Sequence, residues 1–152
     1  MLIARSLPLF ALVACSPSLE GDWDGDFQCA TYTADLSIEL DDEGDGEFAG
    51  ELSMSIDQTS KEDGATIQYL VEGLIDLQIQ VAGMGEQDLD YDAEWIGADC
   101  ETFVDGALAY VTCQEIHFES APGSTADFGD LTWDGADSIE IDEGDCDGEL
   151  ER

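Results

Sequence analysis

Five cysteines carry the most distinctive chemistry of this 152-residue sequence; they are Cys15, Cys29, Cys100, Cys113 and Cys146. Thiols can pair as disulfides in an oxidising compartment, ligate a metal or be modified covalently. A metal site is disfavoured, because there is no Cys-x-x-Cys pair and a single histidine. An odd number of cysteines suits an exported disulfide protein poorly, so we expect one thiol to have another role.

Acidic side chains form three groups that could bind a cation. The first has the oxygen spacing with which a calcium loop begins and consists of Asp41, Glu43 and Asp45, followed by Gly46. The twelfth position of such a loop needs a bidentate acid but is Leu52, so a solvated turn is favoured over an atypical cation site. The other groups are Asp142, Asp145 and Asp147, and the ladder Asp88, Asp90, Asp92 and Glu94. On a strand, the ladder's carboxylates share one face and repel unless a cation or salt screens them.

Enzyme chemistry has little support in the sequence. His117 is the one imidazole base, and it alternates with Glu115 and Glu119 in a strand-like run. There is no Gly-x-Ser-x-Gly elbow, phosphate-binding glycine-rich loop or dinucleotide fingerprint. Carboxylate pairs suited to glycoside hydrolysis are too common among 38 acidic residues to be informative. The sequence therefore predicts neither catalytic residues, nor a metal site, nor a cofactor.

The charge balance narrows the range of partners. The formal net charge is -35, with three Lys and Arg residues in all. Such a chain repels nucleic acid and anionic lipid headgroups and attracts cations. Strong acidity can signal disorder, but the hydrophobic fraction is 43% and the acids are interleaved with apolar residues. We therefore expect a folded domain with an acidic surface, suited either to salty surroundings or to cation binding.

The first fifteen residues have the layout of a secretory signal peptide. Arg5 gives a positive start, an apolar run covers Leu7 to Val13, and small residues follow. The run is too short to span a bilayer as a helix. One interpretation is an ordinary signal peptide that is cut near Ala14 or Ser16.

The quartet Leu12-Val13-Ala14-Cys15 resembles the lipobox of bacterial lipoproteins. The resemblance implies that the Cys15 thiol receives a diacylglyceryl group, that the chain is cut before Cys15, and that the new amine is acylated. Several acyl chains would hold the protein firmly on a membrane. Ser16, in place of an Asp that favours inner-membrane retention, is compatible with the outer membrane of a cell envelope.

Lipidation of Cys15 would divide the chain into a signal peptide (1-14), a tether (15-20) and one acidic β domain (21-152). It would leave four cysteines, an even set with three pairings. Cys100 and Cys113 become cross-strand neighbours if a hairpin turns near Asp105-Gly106 with a four-residue loop. Cys29 and Cys146 would then join the first and last strands.

The elements that must position these residues are β-strands. Apolar and polar residues alternate with a period of two over Leu36 to Leu40, Phe48 to Ile56 and Ile67 to Val81. Gly73 interrupts the longest run, which suggests a bend, a bulge or two abutting strands. Strand-like runs also cover Thr102 to Val104 and Leu108 to Phe118. Asp-Gly pairs, a strong hairpin signal, recur at Asp24, Asp45, Asp63, Asp105, Asp134 and Asp147.

These patterns predict an all-β fold without helices in the mature domain. The spacing suits an antiparallel meander of about eight to ten strands. A small β-barrel is preferred because the connections look local and closure removes exposed edges, and a β-sandwich is the alternative.

Gly21-Asp22-Trp23 resembles the Gly-x-Trp signature of lipocalin-type barrels. The resemblance implies that Trp23 plugs the closed end of the barrel. It also implies an arginine from the last strand packed on that Trp, which the sequence does not reveal, since Arg152 is simply the terminus. Leu89-Asp90-Tyr91 is a poor likeness of the second lipocalin motif.

Together, the sequence predicts a lipid-anchored lipoprotein of the bacterial cell envelope with a non-enzymatic structural, interaction or small-ligand role. Its expected partners are the membrane, through the N-terminal lipid, and cations, but no nucleic acid. The alternative is a calcium-binding surface protein that uses the acidic turns. A lipocalin-like carrier is a third hypothesis, and it predicts an apolar cavity lined by the inward residues.

Overall fold

The structure is a computed structural model that describes residues 17–110, 112–114 and 118–152. These residues form ten β-strands and no helix, which confirms the all-β prediction. The strands are β1 (Gly21–Gln28), β2 (Thr33–Gly44), β3 (Glu47–Glu62), β4 (Ala65–Gln80), β5 (Gln87–Asp88), β6 (Asp90–Val104), β7 (Ala107–Tyr110), β8 (Asp130–Trp133), β9 (Ser138–Glu143) and β10 (Cys146–Glu151). Accordingly, this part of the chain offers no helix with the length and apolar character that crossing a bilayer requires.

All ten strands belong to one antiparallel sheet. Their order is β5-β8-β9-β10-β1-β2-β3-β4-β6-β7. The first and last strands, β1 and β10, lie side by side in the middle of the sheet and pair from Asp24 with Glu151 to Gln28 with Asp147. Most other neighbours are consecutive hairpins, which agrees with the predicted antiparallel meander and strand number.

The predictions of a closed barrel and of a sandwich are wrong. The strand order has two ends, β5 and β7, so it is not a closed ring, and there is one sheet rather than two. Local hairpin signals specify which strands are neighbours, but they do not specify whether the ends of a sheet pair. The sheet is nevertheless curled, because Leu89 alone separates β5 from β6 and Glu94 forms an isolated bridge with Thr125.

One face of the curled sheet carries the hydrophobic core. In β2 the alternation is strict, and Ala34, Leu36, Ile38 and Leu40 are all buried. The buried apolar residues of the other long strands join them in a single cluster. Removal of this apolar surface from water is the main stabilising term of the fold, at about 25 cal/mol per Å².

Four of the six Asp-Gly pairs lie in hairpin connections, as predicted. Asp134-Gly135 lies in the longer loop between β8 and β9, and the other three form two-residue turns. Asp45, Asp63 and Asp105 have φ values of 57°, 49° and 48°, and each is followed by a glycine with positive φ. They connect β2 to β3, β3 to β4 and β6 to β7 as two-residue turns. Both central residues of such a turn need positive φ, which Asp tolerates and Gly adopts freely.

Two other Asp-Gly pairs do not form turns. Gly25 lies inside β1 and Gly148 inside β10, where the two strands pair. A Cβ on Gly25 would overlap the carbonyl oxygen of Glu149, and one on Gly148 would overlap that of Asp26. These glycines therefore serve the close approach of two backbones, a role that no local sequence signal reveals.

Gly73 does not break its strand. β4 continues through it, and the ring of Trp95 lies where a Gly73 side chain would be. The irregularity is on the neighbouring strand: Leu74 pairs with Gly97 and Ile75 with Trp95, so Ile96 of β6 is the extra residue of a bulge. The predicted bulge exists, but one strand away from the glycine that suggested it.

The strand predicted for Leu108 to Phe118 is shorter in the structure. β7 ends at Tyr110, and Cys113 lies in a turn. Residues 111 and 115–117, which belong to the same prediction, lie outside the described residues.

Candidate functional site

Two disulfides fasten the sheet. Cys29 at the end of β1 bonds Cys146 at the start of β10, and Cys100 of β6 bonds Cys113. These are the two pairings that the sequence favoured. The reasoning for the second was incorrect in detail, because Cys113 lies in a turn beyond β7 and the hairpin loop has two residues rather than four. The bonds indicate an extracytoplasmic protein.

One end of the sheet is plugged by Trp23. Its ring is fully buried, and its Nε1 donates a hydrogen bond of 2.9 Å to the carbonyl oxygen of Leu19. Leu19 is itself fully buried, so packing begins inside the segment predicted as a tether. Indole N–H groups almost always find such a partner when buried.

Arg152 covers the plug, contrary to the sequence-based expectation. Its guanidinium lies 4.7 Å from the centre of the Trp23 ring. It also donates hydrogen bonds to the carbonyl oxygens of Glu20 at 3.0 Å and Ala136 at 2.8 Å, and it contacts the Asp137 carboxylate at 3.3 Å. The terminal position suggested a free side chain, but β10 runs beside β1 and carries Arg152 onto the tryptophan.

The opposite end of the sheet contains a cavity. From Trp23, β1 runs towards Cys29 and covers about 20 Å at 3.3 Å per residue. Beyond it, the turn residues 30–32 face the extended hairpin of β3 and β4. The space between them has a volume of about 560 Å³, within the usual range of ligand sites.

The walls of this open-end cavity combine apolar and aromatic side chains with polar ones. On β3 and β4, alternate residues continue to face inwards beyond the hydrophobic core. At this end these inward residues line the cavity instead of packing in the core. The lining residues are Ala30, Thr31, Tyr32, Ile56, Gln58, Ser60, Glu62, Tyr69, Val71 and Phe118. The side-chain amide of Gln58 donates a hydrogen bond to the carbonyl oxygen of Thr31 and ties the turn to β3.

Among the residues that the structure describes, two buried hydroxyl groups at this end have no hydrogen-bond partner. One is Ser60 Oγ on the cavity wall, and the other is Thr102 Oγ1 of β6. Thr102 is 2% exposed and pairs in register with Tyr69, which in turn pairs with Gln58. An unsatisfied buried hydroxyl costs about 1–3 kcal/mol, so such groups need an explanation.

The phenol of Tyr32 stays protonated over the neutral range. Burial raises its pKa above the ordinary value, and the nearby Glu143 carboxylate raises it further. The hydroxyl of Tyr32 is therefore available at this end of the sheet as a neutral donor and acceptor.

A disulfide-supported segment supplies one aromatic wall. The backbone N–H of Phe118 donates to the carbonyl oxygen of Cys113 at 2.9 Å. The Phe118 ring packs edge-on against Trp95, with ring centroids 5.6 Å apart. Because Cys113 is bonded to Cys100, the position of Phe118 depends on that disulfide.

Many of the acidic residues of the long strands lie on the outer face of the sheet. One cross-strand row runs through five strands, each residue in register with the next: Asp22, Glu39, Glu51, Asp76 and Glu94. All five are exposed. Side chains directly opposite each other are about 4.5–5.5 Å apart at Cβ, so these like charges repel.

The acidic groups singled out in the sequence are not brought together as a metal site. Asp45 is the first residue of a two-residue hairpin turn, and Asp142 pairs in register with Asp147 on adjoining strands. In the described ranges, no three His, Cys, Asp or Glu side chains are arranged to hold a metal ion. In the Asp88 to Glu94 ladder, Asp88 instead accepts a hydrogen bond of 3.0 Å from Thr132 Oγ1.

Cys15, the predicted lipidation site, and His117 both lie outside the described residues. Comparisons with protein families, with curated proteins and with solved structures found no match.

Sequence reasoning missed Ser60, Thr102 and Arg152. Ser60 continues the inward alternation of β3, and this was the available signal for it. Thr102 likewise follows Cys100 in the inward alternation of β6. For Arg152 the signal was the Gly-x-Trp resemblance, which implies an arginine packed on that Trp.

Proposed function

We propose that this protein is a lipid-anchored domain of the cell envelope that binds a small amphiphilic molecule in the open-end cavity. The observation behind the proposal is a cavity of ligand-site volume whose wall includes a buried hydroxyl without a partner. Apolar walls with a few polar groups are typical of small-molecule sites. A bound ligand that hydrogen-bonds Ser60 would remove the unsatisfied group.

The two ends of the sheet suit different tasks. At the end near Trp23, that ring is fully buried and Arg152 lies over it. At the end near Tyr32, side chains still alternate inwards, but they face open space instead of packed neighbours. This division supports a carrier-like role, with one end for stability and the other for binding.

The anchor and the cavity would lie at opposite ends. Cys15 precedes the buried Leu19 by four residues, a reach of about 13 Å at 3.3 Å per residue. A lipid on Cys15 would therefore hold the plugged end close to the membrane. The cavity would face away from the membrane, where a soluble ligand or a partner could reach it.

The lipocalin resemblance supports the carrier role in one respect. Arg152 lies on Trp23 as that resemblance implies, although the open strand order departs from a lipocalin barrel. The proposal rests on the cavity and not on this likeness.

Binding can be tested with N-phenyl-1-naphthylamine, an uncharged probe that fluoresces in apolar surroundings. We expect saturable binding to the wild-type protein with one site per chain. Ser60→Phe should abolish it, because the new ring fills the cavity. Ser53→Phe places the same ring on the exposed face of the same strand and should leave binding unchanged. Absence of saturable binding, or equal loss in both folded variants, would contradict the proposal.

The anchor is tested separately by metabolic labelling with a fatty-acid analogue during bacterial expression. We expect the label on the wild-type protein and none on Cys15→Ala. Equal labelling of the two would refute lipidation at Cys15 without affecting the cavity.

A further inference from the structure

We propose that the open-end cavity selects amphiphiles with a cationic head group, such as a long-chain amine. This inference rests on the proposed ligand-binding function and adds the chemical class of the ligand. It is carried by the combination of apolar walls, aromatic faces, a carboxylate in the lining and a hydroxyl without a partner.

The walls specify an apolar body. Ile56 and Val71 lie deepest, where the cavity meets the core, and they pair in register on β3 and β4. Both are buried, at 5% and 3% exposure. Burial of an alkyl chain against them favours binding, and more so with each methylene group that is removed from water.

The charged group in the lining is acidic. Glu62 lies at the exposed end of β3, at the mouth of the cavity. Its neighbour in the chain, Lys61, is on the other face of the strand by alternation and is absent from the lining. Glu143 adds a second negative charge on this side of the sheet, since it pairs in register with Cys146, the disulfide partner of Cys29.

The remaining polar and aromatic groups suit an ammonium ion. An ammonium N–H can donate to Ser60 Oγ, which has two free lone pairs. The faces of Tyr32 and Tyr69 can attract the same cation, since aromatic rings bind cations within about 6 Å of their centroids. The Glu62 carboxylate would repel a carboxylate head group in the same position.

The test compares decylammonium, decanol and decanoate, which share one alkyl chain, by calorimetric titration at physiological salt. We expect decylammonium to bind about tenfold more tightly than decanol, because the Glu62 carboxylate attracts the ammonium ion. Decanoate should bind more weakly than decanol. If decanoate binds as tightly as decylammonium, the inference of a cationic ligand is overturned. If none of the three compounds binds, decanol included, the proposed function is overturned too.

A matched pair of variants separates the cavity from the general acidity of the surface. Glu62→Gln should lower the affinity for decylammonium about tenfold and leave decanol unchanged, because it removes the local charge. Glu51→Gln makes the same charge change in the middle of the outer row and should leave both affinities unchanged. Equal effects of the two variants would show binding to the acidic surface at large and would contradict a selective cavity.

Discussion

The inner and outer faces of the sheet are built from the same strands but have opposite energetics. Along β3, Leu52 and Met54 point into the core, while Glu51 lies between Glu39 and Asp76 on the outside. Burial stabilises the inner side chains, and repulsion between neighbouring carboxylates destabilises the outer row. The stability of this protein therefore comes from one face and is reduced by the other.

The two faces also differ in how they vary along the strands. The outer face carries acidic side chains on each of the long strands, although Ser53, Thr59 and Lys61 interrupt them along β3. The inner face changes from a packed plug at Trp23 to a cavity beside Ser60 and Tyr69. On the inner face, the position of a residue along its strand therefore determines whether it serves stability or binding. On the outer face, the ionic strength of the surroundings determines how strongly the carboxylates repel each other.

The largest expected effect is on the inner face. Trp23→Ala should lower the free energy of unfolding by about 3–5 kcal/mol, since it leaves a cavity and removes the ring under Arg152. Urea denaturation followed by circular dichroism measures the loss. Ile96→Ala is the control: this apolar side chain is 47% exposed, and the change should stay within about 0.5 kcal/mol. Similar losses in the two variants would contradict the contrast between the faces.

The next effect concerns the outer row. Glu51→Lys converts two repulsive contacts, with Glu39 and Asp76, into attractive ones and should raise the free energy of unfolding by about 1 kcal/mol at low salt. The gain should fade at about 1 M salt, where the screening length is only about 3 Å. Thermal denaturation at both salt concentrations measures it.

The control for this charge reversal is Ser53→Lys. Ser53 lies on the same outer face but pairs with Ser37 and Leu74, so the new charge meets no directly opposite acid. A salt-dependent gain of equal size at Ser53 would assign the effect to net charge rather than to the row.

The last effect, no larger than that of the outer row, tests the buried Thr102 hydroxyl without a partner. Thr102→Val should raise the free energy of unfolding by about 1 kcal/mol, because it removes a buried polar atom that makes no hydrogen bond. Thr132→Val should lower it, since Thr132 Oγ1 donates to Asp88. Chemical denaturation of both variants provides the comparison, and a loss of stability in Thr102→Val would show that its hydroxyl is satisfied in solution.

Much of the fold was predictable because its signals are local. Alternation identified the long strands, and the Asp-Gly pairs at Asp45, Asp63 and Asp105 identified hairpins from the φ preference of two adjacent residues. The same dipeptide misled at Asp24 and Asp147, where close packing of two strands, rather than a turn, requires the glycine.

The candidate site was predictable only in outline. A cavity lined by inward residues was expected of a lipocalin-like carrier, but the alternation recognised in the sequence ended at Ile56. The structure extends β3 to Glu62 and so places Gln58 and Ser60 in the lining. Which of those positions face open space depends on how far the neighbouring strands extend, and the sequence of β3 contains no information on that.

The sequence by itself determined the strands, the hairpin turns, the acidic face and the formation of disulfides, because each follows from a short pattern or from composition. Only the tertiary structure decided that the sheet has two free ends, that Arg152 packs on Trp23, that Ser60 and Thr102 lack partners and that carboxylates from five strands form one row. Each of these depends on the register between residues distant in the chain, and register is fixed by the packing of the whole sheet.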